Sequence, residues 1–289
     1  MSANDEPTRL SPASQAQIRS ARRLVRRKER IRAGLFLAEG RQAVREALAA
    51  AGVVAALFVG GSSVERHGDL IQSARAVGVE PRLLSDQDIA GLSDTVTPQG
   101  VVAVCRVIDV SLDQALAGDP RLVVCCAQVR DPGNAGTVIR CADAFGADAV
   151  LLSEGSVDLY NAKTVRATVG SLFHLPLVQG VELATTLAEC RRRGLQVLAA
   201  DGAGAVDLDE LKGSGGLARP TVWLMGNEAW GLPAEDARLA DQVVRVPIYG
   251  AAESLNLSTA AAVCLYATAA EQRHRSTGQS GAATTGQPS

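Results

Sequence analysis

The second half of the chain alternates short apolar segments with longer amphipathic ones, and this alternation most constrains the fold. The apolar segments carry Val and Leu on both faces, which is typical of strands buried in a parallel sheet. Helical stretches separate them, most clearly at 134–145, 181–193 and 254–270. The candidate strands are 122–127, 149–152, 175–178, 195–199, 221–225 and 243–247. The pattern predicts an α/β domain built on a parallel sheet.

A shorter alternation precedes this domain and predicts a separate, smaller αβ unit. Strands are expected at 35–39, 53–59, 80–84 and 101–107, with helices at 41–51 and 67–77. Both ends of the chain are polar, and the C-terminal end is of low complexity. The predicted organisation is a disordered segment 1–17, a small domain 18–106, a linker 107–120, an α/β domain 121–272 and a disordered tail 273–289.

A run of basic residues lies at the start of the small domain. Between Ile18 and Arg32 there are eight arginines and lysines but only one acidic residue, Glu29, although the net charge of the chain is −2. The spacing of Ile18, Ala21 and Leu24 predicts a helix there. A local basic cluster on a nearly neutral chain suits a polyanion, or else forms a solvated helix face. The residues that we predict to contact such a polyanion are Arg22, Arg23, Arg26, Arg27 and Lys28.

Cysteine, histidine and hydropathy patterns narrow the class of protein. The six cysteines lie mostly in apolar runs without a CxxC spacing, which predicts buried, reduced thiols. The three histidines are far apart, so no metal site is predicted. The chain has no apolar stretch long enough to span a membrane, and we expect a cytoplasmic protein.

The loop after strand 122–127 combines a turn with a helix start. Asp131-Pro132-Gly133 is typical of a turn, and Asn134 is a favoured residue for capping the next helix. Arg140 lies about 200° around that helix from Val138, at 100° per residue, and so points away from its core. This pair could hold a phosphate or a ribose hydroxyl, or be no more than a cap and a solvated arginine.

Two further strand ends carry unusual loops. Gly226 follows strand 221–225 and can adopt positive φ, which would leave backbone amides open to a ligand. Glu228, two residues later, would face that ligand. After strand 243–247, Ser254 is placed to cap a long Ala-rich helix, with Asn256 in its first turn. Carboxyl ends of parallel strands meet at one edge of a sheet, so the three loops predict one ligand site.

Taken together, these loops resemble the three signature motifs of the SpoU/TrmH family of SPOUT methyltransferases. The matching stretches are DPGNAGTVIRCADAFGADAVLL (131–152), LMGNEAWGLP (224–233) and VPIYGAAESLNLSTAAAVCLY (246–266), and 163–176 also follows the family pattern. No GxGxxG motif follows a strand, which disfavours the alternative of a Rossmann-type dehydrogenase. The segment 34–40 resembles the ribosomal-protein-like RNA-binding domain that often precedes the family's catalytic domain.

The resemblance implies a trefoil-knotted parallel sheet, a homodimer, and transfer of a methyl group from S-adenosylmethionine to a ribose 2′-hydroxyl of structured RNA. Large-subunit rRNA is the expected substrate, with tRNA as the alternative, and a non-catalytic RNA-binding protein of the same fold as a further one. An arginine is a poor base at neutral pH, so Arg140 would stabilise the developing alkoxide rather than remove its proton. The catalytic residues that the resemblance implies are Asn134, Arg140, Arg166, Glu228, Ser254 and Asn256. The cofactor-binding residues that it implies are Met225, Gly226, Asn227, Ile248 and Leu257.

Overall fold

A computed structural model of the chain describes residues 10–281, with residues 275–281 described as backbone only. The described chain divides into two compact units. The first comprises the described part of Met1–Ile108 together with Asp158–His174. The second comprises Asp109–Val157 and the described part of Leu175–Ser289. The predicted domain boundaries stay predictions. They place the segment 158–174 in the α/β domain, whereas in the structure it packs with the first unit.

All the predicted strands and the predicted longer helices are present, with ends that differ by a few residues. The structure adds short elements that the hydropathy pattern did not predict, at Ser11–Pro12, Asp86–Ala90, Ala162–Thr168, Val206–Asp207, Leu208–Gly213 and Ala234–Ala237. The strands are β1 Ser11–Pro12, β2 Leu35–Glu39, β3 Val54–Gly60, β4 Arg82–Leu84, β5 Val101–Arg106, β6 Leu122–Cys126, β7 Ala149–Ser153, β8 Leu177–Val181, β9 Gln196–Ala200, β10 Val206–Asp207, β11 Thr221–Met225 and β12 Gln242–Arg245. The helices are α1 Gln15–Arg23, α2 Arg27–Ala33, α3 Arg41–Ala49, α4 Gly68–Ala76, α5 Asp86–Ala90, α6 Leu112–Ala115, α7 Pro132–Phe145, α8 Ala162–Thr168, α9 Leu183–Arg192, α10 Leu208–Gly213, α11 Ala234–Ala237 and α12 Leu257–Gly281.

The first unit contains a mixed sheet in the order β1-β4-β3-β5-β2. Strand β5 runs antiparallel to both of its neighbours, and β4 runs parallel to β1 and β3. Aromatic packing explains why the segment 158–174 belongs here. The ring of Phe36 on β2 lies 4.5 Å from the ring of Tyr160 and 6.2 Å from that of Phe173. The Tyr160 hydroxyl also accepts a hydrogen bond of 2.8 Å from the Ile108 amide.

The start of the described chain is ordered, unlike the disorder predicted for residues 1–17. Leu10 is buried, and Ser11–Pro12 pairs with β4. Ser14 caps α1, because its hydroxyl accepts a 3.2 Å hydrogen bond from the Gln17 amide. Burial of Leu10, pairing with β4 and the Ser14 cap together hold a polar segment whose composition suggests disorder. Residues 1–9 of that prediction lie outside the described residues.

The basic run forms two helices separated by a break at residues 24–26, where the spacing predicts one continuous helix. Ile18, Ala21 and Leu24 are buried as expected. The break changes the rotation of the second helix, so that Ile31 is 71% exposed while Arg30 is buried. The Arg30 guanidinium donates to the Leu24 and Val25 carbonyl oxygens and forms an ion pair with Asp158. Arg30 is thus a structural residue of the first unit.

The second unit contains a seven-stranded sheet in the order β10-β12-β9-β11-β6-β7-β8. Every strand pair is parallel. Strands β6, β7 and β11 are buried at every position, which agrees with the Val- and Leu-rich runs that predicted them. The prediction of an α/β fold with a parallel sheet is confirmed. The trefoil knot stays an expectation from the family resemblance.

Two helix starts differ from the predicted caps. Asp131, not Asn134, caps α7, and its side chain accepts a 2.8 Å hydrogen bond from the Asn134 amide. Asn256, not Ser254, caps α12 by accepting from the Ser258 amide at 2.8 Å. In each case the capping side chain accepts from an amide two or three residues further along the chain.

Helix α12 extends further than predicted, to Gly281, and so includes part of the segment 273–289 that the composition marks as disordered. Residues 282–289 of that prediction lie outside the described residues. Within residues 10–281, no helix combines the length and the apolar character that crossing a membrane would require.

Candidate active site

A cleft of about 660 Å³ opens at the carboxyl ends of three adjacent strands of the second unit, β12, β9 and β11. We call it the strand-end cleft. It is lined by residues from four segments, 200–202, 226–231, 244–248 and 250–260. Parallel strands direct the loops that follow them to one edge of the sheet, where ligands of α/β proteins commonly bind. The second and third predicted loops therefore share one cavity, as expected.

Gly226 lies where two parts of the backbone approach closely. Asn227 and Gly231 form a short antiparallel bridge, with N–O distances of 2.8 and 2.9 Å. A Cβ atom on Gly226 would lie 2.5 Å from the Gly231 carbonyl carbon and 2.8 Å from the Leu232 amide nitrogen. The predicted reason for a glycine here was wrong, because positive φ occurs at Gly231 (φ 66°) and not at Gly226. Close backbone approach is the observed reason.

The side chain of Asn227 holds this loop in place. Its amide donates to the Gln128 carbonyl oxygen at 2.6 Å, and its oxygen accepts from the Ala229 amide at 2.8 Å. Gln128 has a φ of 51°, which is unfavourable for a residue with a side chain. Its own amide donates to Ser153 at 2.9 Å. Because its side chain bonds to Gln128 and Ala229 and its backbone bonds to Gly231, Asn227 shapes the loop of the cleft.

Glu228, Asn134 and Asn256 form a connected chain of side chains. The Glu228 carboxylate accepts hydrogen bonds from the Arg130 and Asp131 amides at 3.2 and 3.0 Å. It also accepts from the Asn134 side-chain amide at 3.3 Å. The Asn134 oxygen in turn accepts from the Asn256 side-chain amide at 3.1 Å. Three predicted site residues from three different loops are thus brought into direct contact, since Asp131 leaves the Asn134 side chain free by capping the helix.

The other predicted catalytic residues lack such contacts. Arg140 is exposed on α7, and among the side chains that the structure describes, residues 10–274, its guanidinium makes no hydrogen bond or ion pair. Ser254 is exposed and lines the strand-end cleft. Arg166 belongs to the first unit, where it pairs with Glu39 at 3.3 Å and with Asp94 at 3.6 Å. Of these three residues, only Ser254 lines the strand-end cleft.

The predicted cofactor residues differ in what they present. Gly226, Asn227, Ile248 and Leu257 line the strand-end cleft, whereas Met225 is fully buried beneath it. Sequence reasoning missed Asp201, which follows β9 and also lines the cleft. The signal was available, because strand 195–199 was predicted and an acidic residue and a glycine follow its end. The loop after β6 does not line the cleft. It contacts the site because Arg130, Asp131 and Asn134 donate hydrogen bonds to Glu228.

The charges around the cleft favour a particular kind of ligand. Three acidic residues line it, Asp201, Glu228 and Glu253, against one basic lining residue among those described, Arg245. Arg245 already faces Asp207, with a nitrogen–oxygen distance of 3.5 Å. A pyrophosphate would meet little positive charge here, whereas a nucleoside bearing a positive charge would be accommodated. The cleft therefore fits S-adenosylmethionine better than a dinucleotide.

The predicted RNA-contacting side chains lie on α1, on α2 and in the break between them. All of them are exposed. Arg22 pairs with Asp88 at 2.8 Å, and Arg27 lies 4.0 Å from Asp158. Within the described residues, Arg23, Arg26 and Lys28 make no ion pair. These three cations are the ones most available to a phosphate backbone.

Comparison with known proteins agrees with this geometry. Residues 121–266 match the model of the SpoU rRNA methylase family. This chain belongs to that family. Residues 15–103 match the MRM3-like substrate-binding domain. The resemblance drawn from the three motifs is therefore confirmed, and so is a separate substrate-binding domain ahead of the catalytic one.

Curated relatives of this SpoU-family chain include ribosomal RNA methyltransferases. It is 34% identical over 257 residues to the 23S rRNA (guanosine(2553)-2′-O)-methyltransferase RlmP of Bacillus subtilis, covering 89% of this chain and 97% of the relative. It is 31% identical to the 23S rRNA (guanosine-2′-O-)-methyltransferase RlmB of Bordetella pertussis, covering 70% and 82%.

Solved structures of the family share the fold. An AdoMet-bound rRNA methyltransferase from Sinorhizobium meliloti has a TM-score of 0.77 and 31% identity, covering 93% of this chain and 99% of its own. The SpoU methyltransferase AviRb from Streptomyces viridochromogenes, in complex with AdoMet, has a TM-score of 0.76 and 30% identity, covering 91% and 100%. The fold similarity thus extends over both units of the chain.

Proposed function

We propose that this SpoU-family enzyme methylates a ribose 2′-hydroxyl of large-subunit ribosomal RNA, using S-adenosylmethionine held in the strand-end cleft. The observation that carries the proposal is the contact between Glu228, Asn134 and Asn256 at the rim of a cleft that suits a cationic nucleoside. The relatives named as 23S rRNA methyltransferases support the choice of RNA.

In this proposal, the backbone of residues 226–231 and 248–257 forms most of the cofactor site. S-adenosylmethionine, when bound, supplies the electrophilic methyl group. Asp201 and Glu253 provide acceptors for hydroxyl or ammonium groups. Gly226 keeps the cleft open, because any side chain would push against the backbone of Gly231 and Leu232. The tight bridge between Asn227 and Gly231 holds this surface in shape before the ligand arrives.

We assign Asn134, Glu228, Ser254 and Asn256 to orientation of the target ribose. The Glu228 carboxylate fixes the Asn134 amide, and the Asn134 oxygen fixes Asn256. The Ser254 hydroxyl, which is exposed and lines the same cleft, would contact the ribose. Arg140 would stabilise the alkoxide that develops as the 2′-hydroxyl attacks. Since a guanidinium stays protonated at neutral pH, the departing proton must go to solvent, a phosphate oxygen or a carboxylate.

The substrate-binding role falls to the first unit. Arg22, Arg23, Arg26, Arg27 and Lys28 would contact RNA phosphates, and Arg166 would contact RNA or support Arg140. A homodimer and a cytoplasmic location, both expected from the family resemblance, belong to the same proposal.

Mapping of ribose methylation in RNA tests the proposal directly. Total rRNA and tRNA would be compared from cells that have the gene, cells that lack it and cells in which it is restored. We expect one 2′-O-methyl group of large-subunit rRNA to disappear without the gene and to return with it. Loss of a methyl group from tRNA alone, with rRNA unchanged, would assign the enzyme to the other substrate class.

A further inference from the structure

The two tryptophans of this chain have opposite environments. Trp223 lies on β11 and is fully buried, and its ring nitrogen donates to the Thr268 hydroxyl at 2.9 Å. Trp230 lies in the loop after β11 and is 49% exposed. A large apolar ring is costly to expose, and half-exposed tryptophans are enriched at binding surfaces. Only 3% of the chain is aromatic, so an exposed tryptophan beside the strand-end cleft calls for a reason other than core packing.

An arginine lies against the Trp230 ring. The guanidinium carbon of Arg130 is 5.0 Å from the centre of the ring, which is within the range of a cation–π contact. The contact joins two loops, because Arg130 follows β6 and Trp230 follows β11. A positive charge thus lies over the face of a half-exposed apolar ring.

The backbone on both sides of this pair is held in place. The Arg130 amide donates to the Glu228 carboxylate at 3.2 Å. The Trp230 loop is closed by the bridge between Asn227 and Gly231 and by the hydrogen bond from the Ala229 amide to the Asn227 side chain. A ligand that stacks here would therefore lose little free energy in ordering the protein.

The pair lies at the rim of the strand-end cleft. Both chain neighbours of Trp230, Ala229 and Gly231, line that cleft, and so does Glu228. Glu228 also contacts Asn134, which we assign to orientation of the ribose. A nucleotide whose ribose reached this cluster would carry its base within the same part of the surface.

We propose that Trp230 and Arg130 form a stacking platform for the base of the nucleotide whose ribose is methylated. The inference rests on the proposed function and adds a specificity-determining pair to it. Unpaired RNA bases are commonly recognised by stacking on aromatic rings and on guanidinium planes. Because every base has a flat π-face, such a platform selects an unstacked, splayed-out nucleotide rather than one particular base.

Tryptophan fluorescence reads the platform directly. The full chain would be titrated with in-vitro transcribed 23S rRNA under tryptophan-selective excitation, in parallel with a filter-binding measurement. We expect emission to be quenched as RNA binds. The matched control is Trp230→Phe, which leaves only the buried Trp223 and should show no quenching at equal RNA occupancy. Equal quenching in both proteins, or RNA binding without quenching in the parent, would overturn the proposal.

A second titration distinguishes stacking of Trp230 on an RNA base from stacking on the cofactor. S-adenosylhomocysteine alone should leave Trp230 emission unchanged, and Trp230→Leu should bind it within about twofold of the parent by calorimetry. A quench by S-adenosylhomocysteine, or loss of its binding in Trp230→Leu, would show that the ring stacks on the cofactor instead. That result would overturn the assignment to an RNA base.

Steady-state methyl transfer to the same transcript tests the consequence for the reaction. Loss of one base–aromatic stack weakens binding by roughly 5- to 150-fold, so we expect Trp230→Leu to raise the KM for RNA within that range. Trp230→Phe, which keeps a ring, should lie between Trp230→Leu and the parent, and Arg130→Gln should also raise KM. An unchanged KM in Trp230→Leu would contradict the platform. If instead the parent itself transfers no methyl group to rRNA, the proposed function is wrong. The fluorescence titration still tests the stacking platform, because it measures RNA binding without methyl transfer.

Discussion

At the residue scale, two glycines of the strand-end cleft differ in the room that they have for a side chain. A Cβ on Gly226 would lie within 2.8 Å of three backbone atoms of Gly231 and Leu232, whereas a Cβ on Gly202 would meet nothing within 4 Å. Backbone atoms cannot move aside as the end of a flexible side chain can. The two positions are therefore a matched pair for testing where the cofactor binds.

We expect Gly226→Ala and Gly226→Val to lose measurable binding of S-adenosylhomocysteine, because the displaced loop would distort the cleft. Gly202→Ala, which lines the same cleft, should bind it with near-parental affinity. Calorimetry gives the affinities, and circular dichroism checks that each variant is folded. If Gly226→Val binds S-adenosylhomocysteine as well as the parent does, the cofactor lies elsewhere.

Arg140 offers a second prediction at this scale. Its side chain is exposed and makes no hydrogen bond or ion pair within the described residues, so Arg140→Ala should change the free energy of unfolding by no more than about 0.5 kcal/mol. Loss of a group that stabilises the transition state costs roughly 10²-fold or more in kcat. We expect methyl transfer to fall by at least that factor while cofactor affinity is unchanged. Near-normal turnover in Arg140→Ala would remove it from the catalytic assignment.

At the scale of elements, β2, the loop after α5 and α8 meet at one buried carboxylate in the first unit. Glu39 on β2 is buried and accepts hydrogen bonds from the Ser93 hydroxyl and, at 2.7 Å, from the Thr95 hydroxyl. Arg166 on α8 pairs with it at 3.3 Å. Glu39 thereby joins a strand, a loop and the helix that carries a predicted catalytic arginine.

Glu39→Gln should therefore destabilise the first unit. Hydrogen bonds to a charged group contribute about 1.5–3 kcal/mol, and we expect a loss of about 1–3 kcal/mol in the free energy of unfolding. Asp94→Asn is the matched control, because its side chain is 67% exposed and lies further from Arg166, at 3.6 Å. Exposed pairs of that kind contribute about 0–1 kcal/mol. Chemical denaturation measures both, and equal destabilisation by the two changes would contradict the role assigned to Glu39.

The basic helices α1 and α2 also require a test at the level of elements. Deleting them would remove Ile18 and Leu24 from the core, so substitution of exposed side chains is the cleaner experiment. We expect the combined changes Arg23→Gln, Arg26→Gln and Lys28→Gln to weaken rRNA binding at low salt. The slope of log K against log salt should fall by up to roughly 0.9 for each phosphate that the variant no longer neutralises.

A control variant that loses the same positive charge elsewhere distinguishes phosphate binding by α1 and α2 from the effect of net charge on RNA binding. Arg45, Arg75 and Arg192 are each paired with a glutamate. Their combined replacement by Gln should leave the salt slope nearly unchanged. If the two triple variants behave alike, the basic run is a solvated face rather than a phosphate-binding surface.

At the scale of the whole molecule, the cysteines report on the integrity of both cores. All six are free thiols, and five are buried, as their positions in apolar runs predict. Burial raises the pKa of Cys126 and Cys264 to about 12 and that of Cys190 to about 11. Burial also raises the pKa of Cys141, partly offset by neighbouring Arg140, but this thiol is only half-buried.

Alkylation requires an accessible thiolate, so the native protein should be labelled by iodoacetamide at Cys141 alone near pH 8. The thiolate fraction of the buried cysteines falls about tenfold for each pH unit below their pKa. Denaturant should expose all six to labelling. Peptide mass spectrometry identifies the labelled sites, and rapid labelling of Cys126 or Cys190 in the native chain would mean that the parallel-sheet core opens readily.

The parallel sheet of the second unit, six of its seven strands and the loops that carry the site could be predicted from the amino-acid sequence alone. The two-residue strand β10 and the short helices α10 and α11 were not predicted. The predicted features depend on local patterns: strands buried on both faces are continuously apolar, and loop residues such as Asp131, Asn134 and Glu228 follow the strands directly. Thr221–Met225 was predicted to the residue, because Val, Trp, Leu and Met there offer no competing helical pattern.

Which side chains come into contact follows from the folded chain and not from local sequence patterns. Asp131 caps α7 through the Asn134 amide, and the Asn134 side chain contacts Glu228 and Asn256, which follow other strands. The burial of Arg30 depends on Asp158, 128 residues away in the chain. Such pairings arise from contacts between distant segments, and local propensity carries no information about them.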